Sequence, residues 1–156
     1  MQPSGSGQID SRPIGTDAIP EKAYSPGQVA GAAFIGSPIA GCILLNSNFL
    51  LFGAPNRRRG VLIGGSLVTI VVFVMAYFLP ENFPNALLPA CYTGAIQQFA
   101  KHTQAADFEA YIASGGSKHS NWRVFGIGLF WMLIVFILFF AVIYFLPEEW
   151  FPEISA

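Results

Sequence analysis

Long uncharged apolar runs, separated by short polar stretches, organise this chain. From Val124 to Leu146, 23 residues pass without a charge, and only Gly126 and Gly128 fall outside the apolar set. A run of about 18 or more such residues reads as a membrane-spanning helix. Val61 to Leu79 is a second run, nineteen residues whose most polar members are Ser66 and Thr69. Pro80 ends it, because proline cannot continue the helical ladder and restricts the residue before it. A softer run, Ala30 to Phe52, carries Gly31, Gly36, Ser37, Pro38, Gly41, Asn46, Ser47 and Asn48 among its apolar residues. Gly53 is placed to cap it, with Ala54-Pro55 as a stop. Ala86 to Ala100 is apolar on average but holds Pro89, Gln97 and Gln98 before it meets Lys101 and His102.

Charge sets the direction of these runs. Arg57, Arg58 and Arg59 precede the second run and Glu81 follows it; Arg123 precedes the last run and Glu148-Glu149 follow it. Lys and Arg flanks favour the cytoplasmic side, so both strong spans run outward. An inward crossing is then required between them, and the stretch after Asn85 supplies it. The pattern therefore predicts an all-α membrane protein of four transmembrane helices, at about 30–52, 61–79, 86–105 and 124–146. Loops 53–60 and 106–123 are expected on the cytoplasmic side, and both termini outside. Residues 1–28 form a Gly/Pro/Ser-rich tail without the apolar core of a signal peptide, expected to be disordered. Residues 29–147 form the membrane domain, and 148–156 an acidic and aromatic C-terminal tail. The first run has a competing reading: a re-entrant segment bent at Gly36-Ser37-Pro38, with the N-terminal tail inside.

The ends of the two strong spans match. Tyr77-Phe78-Leu79-Pro80-Glu81-Asn82-Phe83-Pro84 reads like Tyr144-Phe145-Leu146-Pro147-Glu148-Glu149-Trp150-Phe151-Pro152 with one inserted residue. One reading is a repeat of two helical hairpins in the same orientation, each pairing a soft helix with a hard one, as in some transporters. The other is convergence, since outward spans commonly end in interfacial aromatics.

Composition narrows the function. The chain of 156 residues is 53% hydrophobic and 11% charged, with eight Lys/Arg against nine Asp/Glu. Soluble domains carry about a quarter charged residues. The balanced charge leaves no basic footprint for nucleic acid. Cys42 and Cys91 lie within expected spans, which gives no support for a structural disulfide. His102 and His119, with Lys101, Asp107, Glu109 and Lys118 nearby, show no metal or nucleophile spacing. No cofactor or catalytic residue is expected, and the chain does not read as an enzyme.

Two sets of residues stand out. Asn46, Asn48, Gln97 and Gln98 fall at a similar inner level, where amides must face the bundle interior or a wet cavity. They can bond helix to helix or line a passage. Ala33, Ser37 and Gly41, with Gly60 and Gly64, repeat the small-xxx-small spacing that lets helices approach closely, within one subunit or between subunits. Beyond the third helix, Phe108, Tyr111 and Ile112 continue at helical spacing as far as Gly115-Gly116. Ser120 or Asn121 is placed to cap the last helix.

The stretches Phe34-Ile35-Gly36-Ser37-Pro38-Ile39-Ala40-Gly41, Asn48-Phe49-Leu50-Leu51-Phe52-Gly53 and Ser120-Asn121-Trp122-Arg123-Val124-Phe125-Gly126-Ile127-Gly128 resemble those of small bacterial multi-pass membrane proteins of unassigned function. The resemblance covers about residues 30 to 147. It implies a prokaryotic cytoplasmic (inner) membrane and brings no activity or ligand. The chain differs from small multidrug transporters, whose helices carry an acidic residue absent here.

The expected function is a non-enzymatic accessory, scaffold or regulatory subunit, its partners being the lipid bilayer and either another membrane protein or a second copy of itself. The alternatives are a small transporter or channel with an amide-lined path, and an immunity-type protein against a pore-forming toxin.

Overall fold

A computed structural model describes residues 22–80, 82–84 and 86–145. Its helices are α1 (Pro26–Gly36), α2 (Pro38–Leu51), α3 (Arg58–Phe78), α4 (Leu87–Ala113) and α5 (Asn121–Phe145), with a 3-10 turn at Pro55–Arg57 leading into α3. No strand is present among the described residues.

The first apolar run does not form one helix. Gly36-Ser37-Pro38 breaks it, and α2 turns back along α1. Tyr24, just before α1, bonds Asn48 near the end of α2. Midway, a Cβ on Gly41 would stand 2.8 Å from the Ala33 Cβ and 3.1 Å from the Val29 carbonyl. This corrects the single crossing at 30–52, and the competing bent reading describes the geometry. At 11 and 14 residues, the arms are about 17 and 21 Å long at ~1.5 Å per residue. Neither matches the ~30 Å of a bilayer core. The physical reason is local: Pro38 cannot donate to the ladder of α1 but suits the first position of a new helix.

Ser37 makes the turn with φ 83° and ψ 166°, a region that is essentially reserved for glycine. Ser37→Gly is expected to raise stability by about 1 kcal/mol or more by removing that strain. A higher thermal unfolding midpoint in detergent would be the readout, and an unchanged or lower midpoint would contradict it.

Helix ends follow local chemistry. Ser25 and Gln28 form a reciprocal capping box around Pro26, so residues 22–28 are ordered, against the expected disorder of 1–28; residues 1–21 lie outside the described residues. The signal was Ser-Pro-Gly-Gln, a capping box with proline at the first helical position. At the other end of α2 and of α4, Gly53 (φ 72°) and Gly115 (φ 93°) close Schellman motifs. Their bonds are Ala54 N–H to Phe49 C=O and Gly116 N–H to Tyr111 C=O, with the positive φ that glycine adopts freely. Ser120 Oγ accepts from the Trp122 N–H at the start of α5.

The hairpin is the hub of the fold. α1 packs along α4 and α5, and α2 packs along α3 and α4, while α3, α4 and α5 make almost no contact with one another. The buried set is accordingly drawn mostly from the hairpin: Val29, Ala32, Ala33, Ala40, Leu44, Leu45 and Phe49. α3 antiparallel to α2 places Arg58 beside Asn46 and Thr69 beside Ile39. α5 runs parallel to α1, with Gln28 near Asn121 and Gly36 against Gly128.

Among the described residues two helices, not four, are long and apolar enough to cross a membrane: Pro55–Phe78, counted with its 3-10 lead-in, and Asn121–Phe145. Only 11% and 6% of their most apolar windows are buried, so most of their side chains face outward, away from the hairpin. The expected spans at 61–79, 86–105 and 124–146 correspond to α3, to the first two-thirds of α4, and to α5. The repeat of two hairpins is not seen: α2 has 14 residues and α4 has 27, and α4 does not pack on α5 as α2 packs on α3. Its second copy, from Leu146 onward, and Glu81 and Asn85 lie outside the described residues.

One arrangement differs from expectation in the end of the molecule at which it lies. Residues 22–25, the turn at 52–57 and the connection at 114–120 all lie at one end of the molecule, because the first segment doubles back. The charge pattern instead puts the N-terminal tail at the opposite end from both loops.

Candidate functional site: an amide clasp and a lateral groove

Buried amides tie the start of the hairpin to its surroundings. The Tyr24 N–H donates to Asn48 Oδ1 at 2.8 Å, and Asn48 Nδ2 donates to the Tyr24 carbonyl at 2.7 Å and to Gln104 Oε1 at 3.0 Å. Gln104 Nε2 in turn donates to the Leu45 carbonyl at 3.0 Å. Asn48 and Gln104 are each 2% exposed, so each bond forms out of competition with water. Beside them, Gln28 Nε2 donates to the His119 carbonyl at 2.7 Å and to Asn121 Oδ1 at 2.8 Å. The Ala23 N–H donates to Ser117 C=O, and the His119 N–H donates to Ala23 C=O. The Tyr24 and His119 rings stack with centroids 4.2 Å apart.

The expected cluster of Asn46, Asn48, Gln97 and Gln98 is thus not assembled. Asn48 joins Gln104 instead, Asn46 Oδ1 accepts from Arg58 Nε at 3.0 Å, Gln97 is half-buried and Gln98 is exposed. Gln104 lies in the last turn of the expected span at 86–105, beyond Lys101 and His102, and is not among the amides expected to meet. The signal for it was present: Ile96, Ala100 and Gln104 are the buried residues of α4 and recur every four positions, so one face carries a lone amide among apolar neighbours.

The small residues also act differently from one helical stripe. Ala33 and Gly41 face each other across the hairpin, with Ser37 at its turn. Gly60 and Gly64 have open space where a Cβ would point. They form one wall of a groove of about 770 Å³ between α3 and α4, floored by Cys42, Leu45 and Phe49 of α2. Tyr92, Ile96 and Phe99 make the opposite wall, and Arg57 stands at one end. The size is that of a small-molecule site, but the walls are almost wholly apolar. A second cleft, about 540 Å³, lies between the far halves of α3 and α5, where Phe73 and Phe139 approach beyond the hairpin's turn.

His119 titrates below its ordinary value of 6.5, held down by burial and then by the positive charges of Arg123 and Lys22. The folded state thus binds this proton less readily than the unfolded chain. The stability that depends on neutral His119 is complete above pH 6.5 and is lost as pH falls toward the lowered value. An unfolding midpoint that drops on acidification below pH 6.5, with a smaller drop in His119→Phe, is the expected result. Equal drops in both would contradict it.

Comparison with protein-family models, with curated proteins and with solved structures finds no match.

Proposed function

We propose that this is a non-enzymatic integral membrane protein of the prokaryotic cytoplasmic membrane, acting as an accessory, scaffold or regulatory subunit. In this reading α3, α4 and α5 cross the bilayer, and the α1–α2 hairpin enters from the cytoplasmic face and turns back near the midplane. The support for the orientation is that Lys22, Arg57–Arg59, Lys118 and Arg123 all gather at the end where the hairpin opens, as cytoplasmic flanks do. A broken helix at membrane depth is tolerated where protein buries it, and the three long helices surround this one. α4 must return the chain between α3 and α5, which run the same way; its first 18 residues, to Gln104, cover about 27 Å.

The observation that carries the accessory role is the destination of the polar groups. The buried amides are engaged in holding the hairpin, while the molecule's large concavities open sideways, toward lipid and neighbouring helices. Such surfaces suit association within the membrane. The test is cross-linking in native membranes followed by purification in mild detergent and mass spectrometry. A stoichiometric membrane-protein partner or self-association, retained in Gln97→Leu/Gln98→Leu, is expected. Solute flux in liposomes that this double variant abolishes would overturn the reading in favour of a passage.

A further inference from the structure

We propose that the groove between α3 and α4 holds an acyl chain of an anionic phospholipid from the leaflet on the arginine side, with the phosphate at Arg57. The inference rests on the membrane reading above and deepens it by naming an occupant.

Length is the first argument. The groove runs from Arg57, just before α3, along that helix to Val68, a rise of about 17 Å at ~1.5 Å per residue. That is close to half of the ~30 Å hydrocarbon thickness. It stops there because its floor, α2, begins at Pro38, and beyond that turn no helix continues beneath it. A crossing helix of a partner would need support through both leaflets, whereas one lipid chain needs it through one.

Shape and charge agree. With no side chain at Gly60 or Gly64, the α3 wall is flat over a full turn, so a slender chain can lie against the backbone. Among the described residues no acidic side chain lines the groove. Arg57 lines its mouth and is exposed. Arg58 is turned away to Asn46. Basic groups between membrane helices on the cytoplasmic side are a known basis for anionic headgroup binding.

The full-length protein would be reconstituted with an equimolar mixture of phosphatidylglycerol and phosphatidylcholine of matched chains, and its lipid adducts read by native mass spectrometry. Wild type is expected to retain phosphatidylglycerol over phosphatidylcholine. Arg57→Gln should lower that preference about fivefold, one arginine near a membrane surface being worth about 1 kcal/mol. Gly64→Leu should empty the groove of either lipid, because its side chain enters open space without striking the fold. Gly126→Leu, equally unobstructed on α5, should retain lipid as wild type does. Equal retention of the two lipids by wild type, or undiminished adducts in Gly64→Leu, would overturn the proposal. So would a polypeptide found in place of lipid and released by Gly64→Leu. Sidedness labelling of the hairpin tests the membrane reading separately, so an empty groove in a correctly inserted protein faults only this inference.

Discussion

Gly36→Val is expected to lose most of its folded protein, while Gly126→Val behaves as wild type. Gly36 is the last residue of α1 and is buried against α5. A Cβ there would collide with the carbonyl oxygen of Gly128 and lie 2.9 Å from both the Gly128 Cα and the Ala40 Cβ. These are mostly backbone obstacles, so no rotamer change relieves them. Overpacking of a side chain commonly costs 1–3 kcal/mol, and the rigid neighbours here put the cost at about 3 kcal/mol or more. That is a large share of the ~5–15 kcal/mol that keeps a typical domain folded. The damage should also spread: α5 is held chiefly by α1, and the long helices scarcely touch one another. Gly126 has open space around it, so the same chemical change there should stay within about 0.5 kcal/mol. Size-exclusion profiles and unfolding midpoints of the two variants in detergent decide the matter. Equal behaviour would mean that α1 does not press on α5 at this point.

Asn48→Leu is expected to cost a similar amount for a different reason. The Asn48 side chain satisfies the Tyr24 N–H, the Tyr24 carbonyl and Gln104 Oε1 at once. Leucine of comparable size would leave all three without a partner in a buried site. Each orphaned group costs roughly 1–3 kcal/mol, so the total is about 3 kcal/mol or more. Gln104→Leu removes one of the orphans, and the double variant should therefore lose less than the sum of the two single ones, by about 0.5–3 kcal/mol. Gln97→Leu and Gln98→Leu, outside the clasp, should change stability by no more than about 0.5 kcal/mol. If Gln98→Leu proved as costly as Asn48→Leu, the four-amide cluster expected from depth alone would be restored.

These contrasts show which parts of the molecule could be read from the chain. Stop signals were legible because they are local: Gly53 and Gly115 end α2 and α4, and Ser120 caps α5. So were α3 and α5, whose apolar runs are as long as a crossing requires. The path of residues 30–52 was not, because one crossing and two half-length arms have the same hydropathy. Gly36-Ser37-Pro38 marked the break, but only the contact of Ala33 with Gly41 reveals that the arms fold together. The polar cluster was half legible for a related reason. Asn48 is one of four amides expected to face the bundle interior or a wet cavity, while its partner depends on which face of α4 meets the hairpin. Ile96, Ala100 and Gln104 define that face, and Gln97 and Gln98 are one and two positions off it.

The central claim is that the first apolar segment enters and leaves on the same face. It is tested most directly by single cysteines at Lys22 and at Asn56, with Cys42→Ala and Cys91→Ser as background, in membranes of known sidedness. Both are exposed, and Ser117→Cys supplies a reference at the same end of the molecule. A membrane-impermeant maleimide applied from the cytoplasmic side should label all three positions and should label none of them from the other side. Labelling of Lys22→Cys from one face and of Asn56→Cys from the other would mean that residues 30–52 cross the bilayer once, and the hairpin account would fail.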